Sequence, residues 1–394
     1  MKWSSKVSEE FSLVKAVDEC TSHIRAELGG VTPDIAIVFV SPHHAADFTS
    51  VPGMIKGRLS PRVLIGCSGG GVIGGGKEVE DRAGFALTAA ILPGVNVTPF
   101  HVEDQDMPDM DASPSKWEAL AGVTAEADPA FIVLADPFTI RGDNLLRGLD
   151  YAFPGRVKVG GLASGSSQPG GNALFLSDQV FASGAVGVGI SGAIRVETVV
   201  AQGCRPIGVP LVVTKSKQNV ILELDGEKPL ERLRRVFDAC DDRDKALINR
   251  ALHVGVVTDP WKDQFRPGDF LIRNVLGIHR ETEGIVVGEL LNEGQVVQFH
   301  VRDAMTAEED LYTLLRQYSK DQQGAQAAGA LLFSCLGRGV HLFGQVDHDT
   351  GIFAKEVGHL PLGGFFCNGE IGPVGPNTYL HGFTSSFAIF KPKQ

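Results

Sequence analysis

The chain holds 394 residues, more than one ordinary hydrophobic core accommodates, so two domains are expected. Its net charge of -11 speaks against a nucleic-acid partner, which needs a basic face, and against an anionic membrane surface. No apolar run approaches the roughly 20 residues of a membrane helix, and the opening MKWSSKVSEEF carries no signal-peptide pattern. The six cysteines are scattered without a C-x-x-C, so neither a zinc site nor a disulfide framework is indicated, no cofactor is called for, and a reducing cytoplasm is expected.

In chain order, residues 11–28 place Leu13, Val14, Val17, Cys20, Ile24 and Leu28 at helical spacing, ending at Gly29-Gly30. Residues 35–40 form a continuous apolar run of strand length between Pro33 and Pro42. A helix is expected around 45–57. A short strand at 63–65 runs into Gly66-Cys67-Ser68-Gly69-Gly70-Gly71, and strands at 85–92 and 95–102 meet at Pro93-Gly94. A helix starts at Ser113-Pro114, a buried strand covers 131–134, and 145–151 is helical. Residues 157–159 lead into Gly160-Gly161-Leu162-Ala163-Ser164-Gly165, followed by strands at 173–176, 180–190 and 196–202.

That order contains a repeat. Buried strand, helix, short strand ending in glycines and long strand occur over 35–92, again over 131–190, and a third time from Leu331 through Gly364-Phe365 to residues 383–390. The turns Gly66-Cys67-Ser68-Gly69, Gly161-Leu162-Ala163-Ser164-Gly165 and Phe366-Cys367-Asn368-Gly369 are expected to overlay. Between the second and third copies, 211–214 and 220–224 read as paired strands and 230–237 as an amphipathic helix. Residues 270–276, 284–287 and 296–301 alternate as half-buried antiparallel strands do. Residues 306–317 read as a helix with Thr306 and Glu309 as a capping box. The fold class expected is α/β, with layered mixed sheets and repeated strand-helix-strand-strand units. The domain break is placed at the Asp225-Gly226 turn, giving domains 1–226 and 227–394.

Several stretches carry a family resemblance. FSCLGRG at 333–339, LPLGGFFCNGEIGPVG at 360–375, LHGFTSSF at 380–387, FLIRNVLGI at 270–278 and VQFHVRDA at 297–304 resemble the C-terminal FIST domain. IAIVFVSPHH at 35–44, LIGCSGGGVIGGGKEVE at 64–80 and GCRPIG at 203–208 resemble the N-terminal FIST domain. The resemblance implies two packed FIST halves and an intracellular sensory module that binds a small ligand, with amino acids the suggested class. Catalytic residues are not implied. The two FIST parts fill the chain, so the resemblance further implies either that output passes to a separate signalling partner or that binding itself is the function.

The candidate ligand residues lie at strand ends. The apolar run from Leu331 stops at Cys335 and turns on Gly337-Arg338-Gly339; the run from Leu360 stops at Cys367-Asn368-Gly369-Glu370. Parallel neighbours ending at one sheet edge would bring Cys335, Arg338, Cys367, Asn368 and Glu370 into one pocket, and open α/β sheets bind ligands at that edge. Arg338 and Glu370 there suit a zwitterion; the plain alternative is that they pair with each other. Buried cysteines at strand ends are equally the ordinary small apolar residues of a core. His381 offers a partner for a thiol or a plain structural donor. Cys67 and Ser68 sit in a glycine run that formally matches G-x-S-x-G, although no helix pattern follows. The same run offers an anion nest or a mere strand connection. His43-His44 lacks a carboxylate partner, so no metal site is expected. Three functions follow: a small-ligand sensor or binding module, a cysteine-dependent enzyme using Cys335 or Cys367, and a protein-interaction scaffold of a larger assembly.

Overall fold

The computed structural model describes residues 1–262, 264–265, 268–321 and 326–393. The chain divides into two compact units: residues 1–200, 312–380 and 384–394 form the first, and 201–311 with 381–383 the second.

The first unit is a mixed α/β fold built from three copies of one pattern: strand, helix, strand, helix, strand, hairpin, strand. The first copy is β1 (Lys2–Ser8), α1 (Leu13–Glu27), β2 (Ile35–Val40), α2 (Val51–Leu59), β3 (Val63–Ser68), β4 (Gly71–Gly74), β5 (Lys77–Glu80) and β6 (Phe85–Ile91). The second is β7 (Val95–Val102), α3 (Pro114–Ala121), β8 (Ala130–Ala135), α4 (Gly142–Ala152), β9 (Lys158–Leu162), β10 (Leu174–Leu176), β11 (Gln179–Phe181) and β12 (Ala185–Gly192). The third opens with β13 (Ile194–Gln202). The chain then runs through the second unit: β14 (Cys204–Lys217), β15 (Val220–Leu224), α5 (Pro229–Ala239), α6 (Asp242–Ala251), β16 (Leu252–Val257), β17 (Phe270–His279), β18 (Gly284–Val287) and β19 (Val296–Arg302). It returns within α7 (Ala304–Asp321) and completes the third copy with β20 (Gly329–Cys335), α8 (Val340–Phe343), α9 (His348–Glu356), β21 (Leu362–Cys367), β22 (Glu370–Val374), β23 (Asn377–His381) and β24 (Thr384–Pro392).

Each copy forms one six-stranded sheet, but not from its own strands alone. The sheet orders are β1-β6-β2-β3-β10-β11, β7-β12-β8-β9-β22-β23 and β13-β24-β20-β21-β4-β5. Every copy keeps four strands and gives its hairpin to another copy's sheet, so the exchange closes a three-membered cycle. The register is the same in all three. Gly66, Gly160 and Gly364 partner Val38, Val133 and Leu332 across the parallel pairs, and Phe175, Ile371 and Ile73 of the incoming hairpins lie opposite them. A Cβ on these glycines would stand 1.9, 1.8 and 1.9 Å from the neighbouring carbonyl oxygens. This equivalence corrects the overlay read from the sequence, because Ser68 matches Leu162 and Phe366.

The central strands are buried on both faces, which is why they read as continuous apolar runs. Ile35, Ile37, Phe39, Ile132, Leu134, Leu331 and Phe333 point into one shared core, where Phe39 stacks on Phe365 at 4.7 Å. The alternate residues face helices: Ala36, Val38 and Val40 pack with α1 and α2, and Phe131, Val133 and Ala135 with α3 and α4. On the third sheet Phe353 of α9 stacks on Phe387 at 5.1 Å.

The second unit is a closed barrel, β14-β15-β18-β17-β16-β19, filled by Ile207, Val213, Ile221, Val254, Ile285 and Phe299 among others. The sequence-placed break at 226 falls inside this unit, because β15 pairs with β14 before it and β18 after it. Two expectations are corrected. The run 180–190 is two strands, parted by the turn before Ala185. The clearest helix begins at Ala304, so Thr306 lies inside it, and the Asp303 carboxylate accepts the Met305 N–H at 3.1 Å. Among the described residues no helix is long and apolar enough to cross a membrane.

Candidate functional site

The ends of β3, β9 and β21 converge in one hydrogen-bonded junction. The Ser164 N–H donates to the Ser68 carbonyl at 3.2 Å, Asn368 N–H to the Leu162 carbonyl at 3.0 Å, and Leu162 N–H to the Gly369 carbonyl at 2.8 Å. The Ser164 hydroxyl accepts from Gly70 N–H at 2.9 Å and donates to the Phe366 carbonyl. Cys67, Ser68, Cys367 and Asn368 all belong to this junction, and Cys335 is the in-register partner of Cys367 on the parallel neighbour β20. Asn368 is exposed and Cys335 half-buried, whereas Cys67, Ser68 and Cys367 are fully buried.

The buried members are not built as nucleophiles. Burial pushes the Cys67 and Cys367 thiols well above their ordinary pKa, and the Glu370 charge adds to the shift at Cys367. The Ser68 hydroxyl donates to Asn172 Oδ1 at 3.3 Å and accepts the Ala173 N–H at 3.0 Å. β4, not a helix, follows the glycine run. Glu370 occupies the register position that Val72 and Leu174 fill in the other hairpins. Its Oε2 accepts from the Thr384 N–H at 3.0 Å and the Thr384 hydroxyl at 2.8 Å. His381 ends β23, is buried, and groups with the second unit.

Arg338 does not pair with Glu370, contrary to the plain alternative read from the sequence. Its guanidinium clamps Asp349 of α9 with Nε–Oδ2 at 2.8 Å and Nη2–Oδ1 at 2.9 Å. Asp349 also accepts from the Ser334 hydroxyl at 3.2 Å and from Ser385, and bonds His348 Nδ1 at 2.8 Å. Phe343 flanks the cluster, its ring 5.1 Å from the Arg338 charge and stacked on His348 at 3.4 Å. Glu78, from the hairpin donated by the first copy, closes it. Its Oε1 accepts the Thr350 N–H at 2.8 Å, and its own N–H donates to Asp347 Oδ1 at 2.6 Å.

Electrostatics sort these groups. Burial works against the Asp349 carboxylate, but Arg338, His348 and Ser385 outweigh it and hold its pKa well below the ordinary value. Burial likewise opposes the Arg338 charge, and Asp349 beside it more than compensates. Burial, reinforced by the Asp349 charge, pushes Glu78 up to about 8, so it is protonated at neutral pH. Arg338 Nη1, His348 Nε2, Glu78 Oε2 and Thr350 Oγ1 are buried without a hydrogen-bond partner among the described residues. Thr350 also lines a cavity of about 460 Å³ beside β1 and α1, with Trp3, Ser4 and Phe353.

Sequence reasoning found Arg338 but missed Asp349, His348, Glu78 and Thr350. The signal was present in Asp347-His348-Asp349-Thr350, a dense polar run just before the apolar Ile352-Phe353 of a helix. Among the described residues no group of His, Cys, Asp or Glu is arranged to hold a metal ion.

Three repeated α/β sheets with a glycine at the same register position in each, interrupted by an inserted barrel, define the class, and comparison identifies it. The FIST N domain model matches residues 34–227 and the FIST C domain model residues 229–373. The chain belongs to the FIST family. An uncharacterized protein of Mycobacterium tuberculosis is 36% identical over 378 residues, covering 95% of this chain and 96% of its own length. An uncharacterized protein of Mycobacterium bovis is 34% identical over 378 residues, 95% of each chain. An F-box/LRR-repeat protein of Arabidopsis thaliana is 23% identical over 370 residues, 79% of this chain and 68% of its own. FIST domains are associated with sensing and signal transduction.

Proposed function

We propose that this chain is a cytoplasmic module that binds a small ligand, with amino acids as the first class to try, and reports its occupancy to a separate signalling protein. The observation that carries the reading is the cluster at the end of β20. The first copy ends its central strand at Ser41 and the buried His44, and the second at the buried Asp136. The third gathers Arg338, His348, Asp349 and Glu78 out of water, with polar atoms left unsatisfied and Thr350 opening onto a cavity. Perturbed, buried titratable groups beside a cavity are the usual mark of a functional site. Six free cysteines suit a reducing compartment. The F-box name of the plant relative is consistent with output through a protein partner.

Native mass spectrometry of the purified chain, with and without added amino acids, tests this reading. The expected result is a small-molecule adduct that is lost on denaturation. A stable protein partner with no such adduct favours the scaffold reading instead. Substrate turnover abolished by Cys335→Ser would favour an enzyme.

A further inference from the structure

We propose that Cys335 and Cys367 are a redox pair: a hydroperoxide oxidises the Cys335 thiolate, and Cys367 resolves the product as a disulfide that ties the ends of β20 and β21 together. This site is independent of whether the chain binds a small ligand.

The two cysteines are the last residues of the parallel neighbours β20 and β21, and they are partners in register. Adjacent strands run about 4.8 Å apart, inside the roughly 4.4–6.8 Å that separates the Cα atoms of a disulfide. Their side chains share a face. Phe333 and Phe365, two residues earlier and also register partners, both point into the shared core, with ring centroids 6.0 Å apart. Strand alternation returns Cys335 and Cys367 to that face, and Cys367 belongs to the same core. A disulfide brings its Cβ atoms to about 3.8 Å, so the two strand ends draw in by roughly 1 Å. Both ladders stop at these residues and turn on Gly337 and Gly369, which leaves the ends room to do so. At the matching positions the first copy has Ser41 with Gly69 and the second Asp136 with Ala163, so two thiols face each other in the third copy alone.

The two thiols differ as an attacking and a resolving cysteine do. Cys335 is partly exposed, whereas Cys367 is 0% exposed and reacts only with a sulfur delivered to it from within the fold. Charge on the Cys335 sulfur is felt both at the Arg338 guanidinium and at Cys367, so both lie close to it. A partly exposed thiol beside a guanidinium is the setting in which thiolates persist. The Cys335 thiolate attacks the terminal peroxide oxygen. The S–O bond forms, the O–O bond breaks, the remaining oxygen departs as an alkoxide or hydroxide, and Cys335 becomes a sulfenic acid. The Cys367 sulfur then attacks the Cys335 sulfur. The S–S bond forms, the S–O bond breaks, and the hydroxyl leaves with the Cys367 proton as water. The sulfurs give up two electrons to the peroxide, and a dithiol reductant returns them. Arg338 stands three residues beyond Cys335, so the bridge bears on the turn that carries the Arg338–Asp349 clamp.

Hydrogen peroxide treatment of the folded full chain, followed by alkylation and peptide mapping without reductant, tests the pair. Wild type should lose two of its six thiols and yield peptides joined through Cys335 and Cys367, and dithiothreitol should restore all six. Cys335→Ser should keep Cys367 as a free thiol under the same treatment. Cys367→Ala should stop at the Cys335 sulfenic acid, which dimedone captures, whereas bridged wild type should not label. If Cys367→Ala fails to fold, the wild-type map and Cys335→Ser decide alone. Six thiols still free after peroxide, a bridge between Cys67 and Cys367 or between two chains, or Cys335 carried to the sulfinic acid without a bridge would overturn the proposal.

Discussion

Arg338 and Asp349 meet fork to fork at the end of β20, with two parallel bonds of 2.8 and 2.9 Å, and neither side chain is more than 2% exposed. Removing one partner strands the other charge in the interior. Arg338→Ala or Asp349→Ala should therefore cost about 3–5 kcal/mol. The apolar double variant Arg338→Met with Asp349→Leu should cost clearly less than the sum of the two. Urea denaturation of the four proteins measures this cycle. Single variants within 1 kcal/mol of wild type would show that the pair is not buried as described.

Glu78 sets a pH dependence of the opposite sense to an ordinary salt-bridged carboxylate. Its folded pKa is about 8 against 4.5 for the free group, so the folded state holds the proton more tightly. Its contribution is fully present below about pH 4.5 and is lost as pH rises through about 8. Ionising it in place costs the fold on the order of 5 kcal/mol across that window. Glu78→Gln keeps the neutral shape and should be insensitive there. Denaturation of both proteins at pH 5, 7 and 9 should show wild type losing stability relative to the variant at each step; parallel curves would contradict the assignment.

Gly66, Gly160 and Gly364 occupy one repeated position where a Cβ would lie within 2 Å of a backbone carbonyl oxygen. Alanine at any of them must displace the parallel neighbour, at a cost of roughly 1–3 kcal/mol or more. Gly369→Ala should also destabilise, since its φ is +146° and Leu162 and Leu380 crowd the Cβ position at 3.1 Å. Gly69→Ala should do so for a different reason from the positive φ that its sequence suggests: Phe365 and the Gly71 carbonyl stand within about 3 Å. Exposed Gly155, with open space around it, is the control position, though its own φ of +68° makes alanine mildly unfavourable there. Melting temperatures of Gly364→Ala no lower than those of Gly155→Ala would refute the shared packing role.

All six cysteines are free thiols. A count on denatured, reductant-free protein should return six. In the native state Cys20, Cys67 and Cys367 should react slowly with a thiol reagent at pH 8, because burial raises all three. Half-buried Cys335 should react faster. Rapid modification of Cys367 in the folded chain would show that the junction opens.

The buried strands were legible because residues 35–40, 131–134 and 331–333 are covered on both faces and so carry no polar interruptions. β1 was not, since its inward positions Trp3, Ser5 and Val7 are diluted by Ser4 and Lys6 in a short edge strand. The threefold repeat showed in the glycines, which mark a packing constraint, but the hairpin exchange left no local trace because pairing partners lie far apart in the chain. Asp349 escaped notice for the same reason that Arg338 did not: glycines flank Arg338, whereas Asp349 sits in an ordinary helix start and is identified only by what crosses above it. Glu78 comes from another copy altogether.

The most direct measurement is a thermal-shift screen of the full chain against amino acids, short carboxylates and other small zwitterions. The account predicts that at least one compound raises the wild-type melting temperature in a saturable way, by a stabilisation near 2.7 kcal/mol at 100 times its Kd. A flat response from wild type across the whole screen, with no adduct in native mass spectrometry, would contradict it.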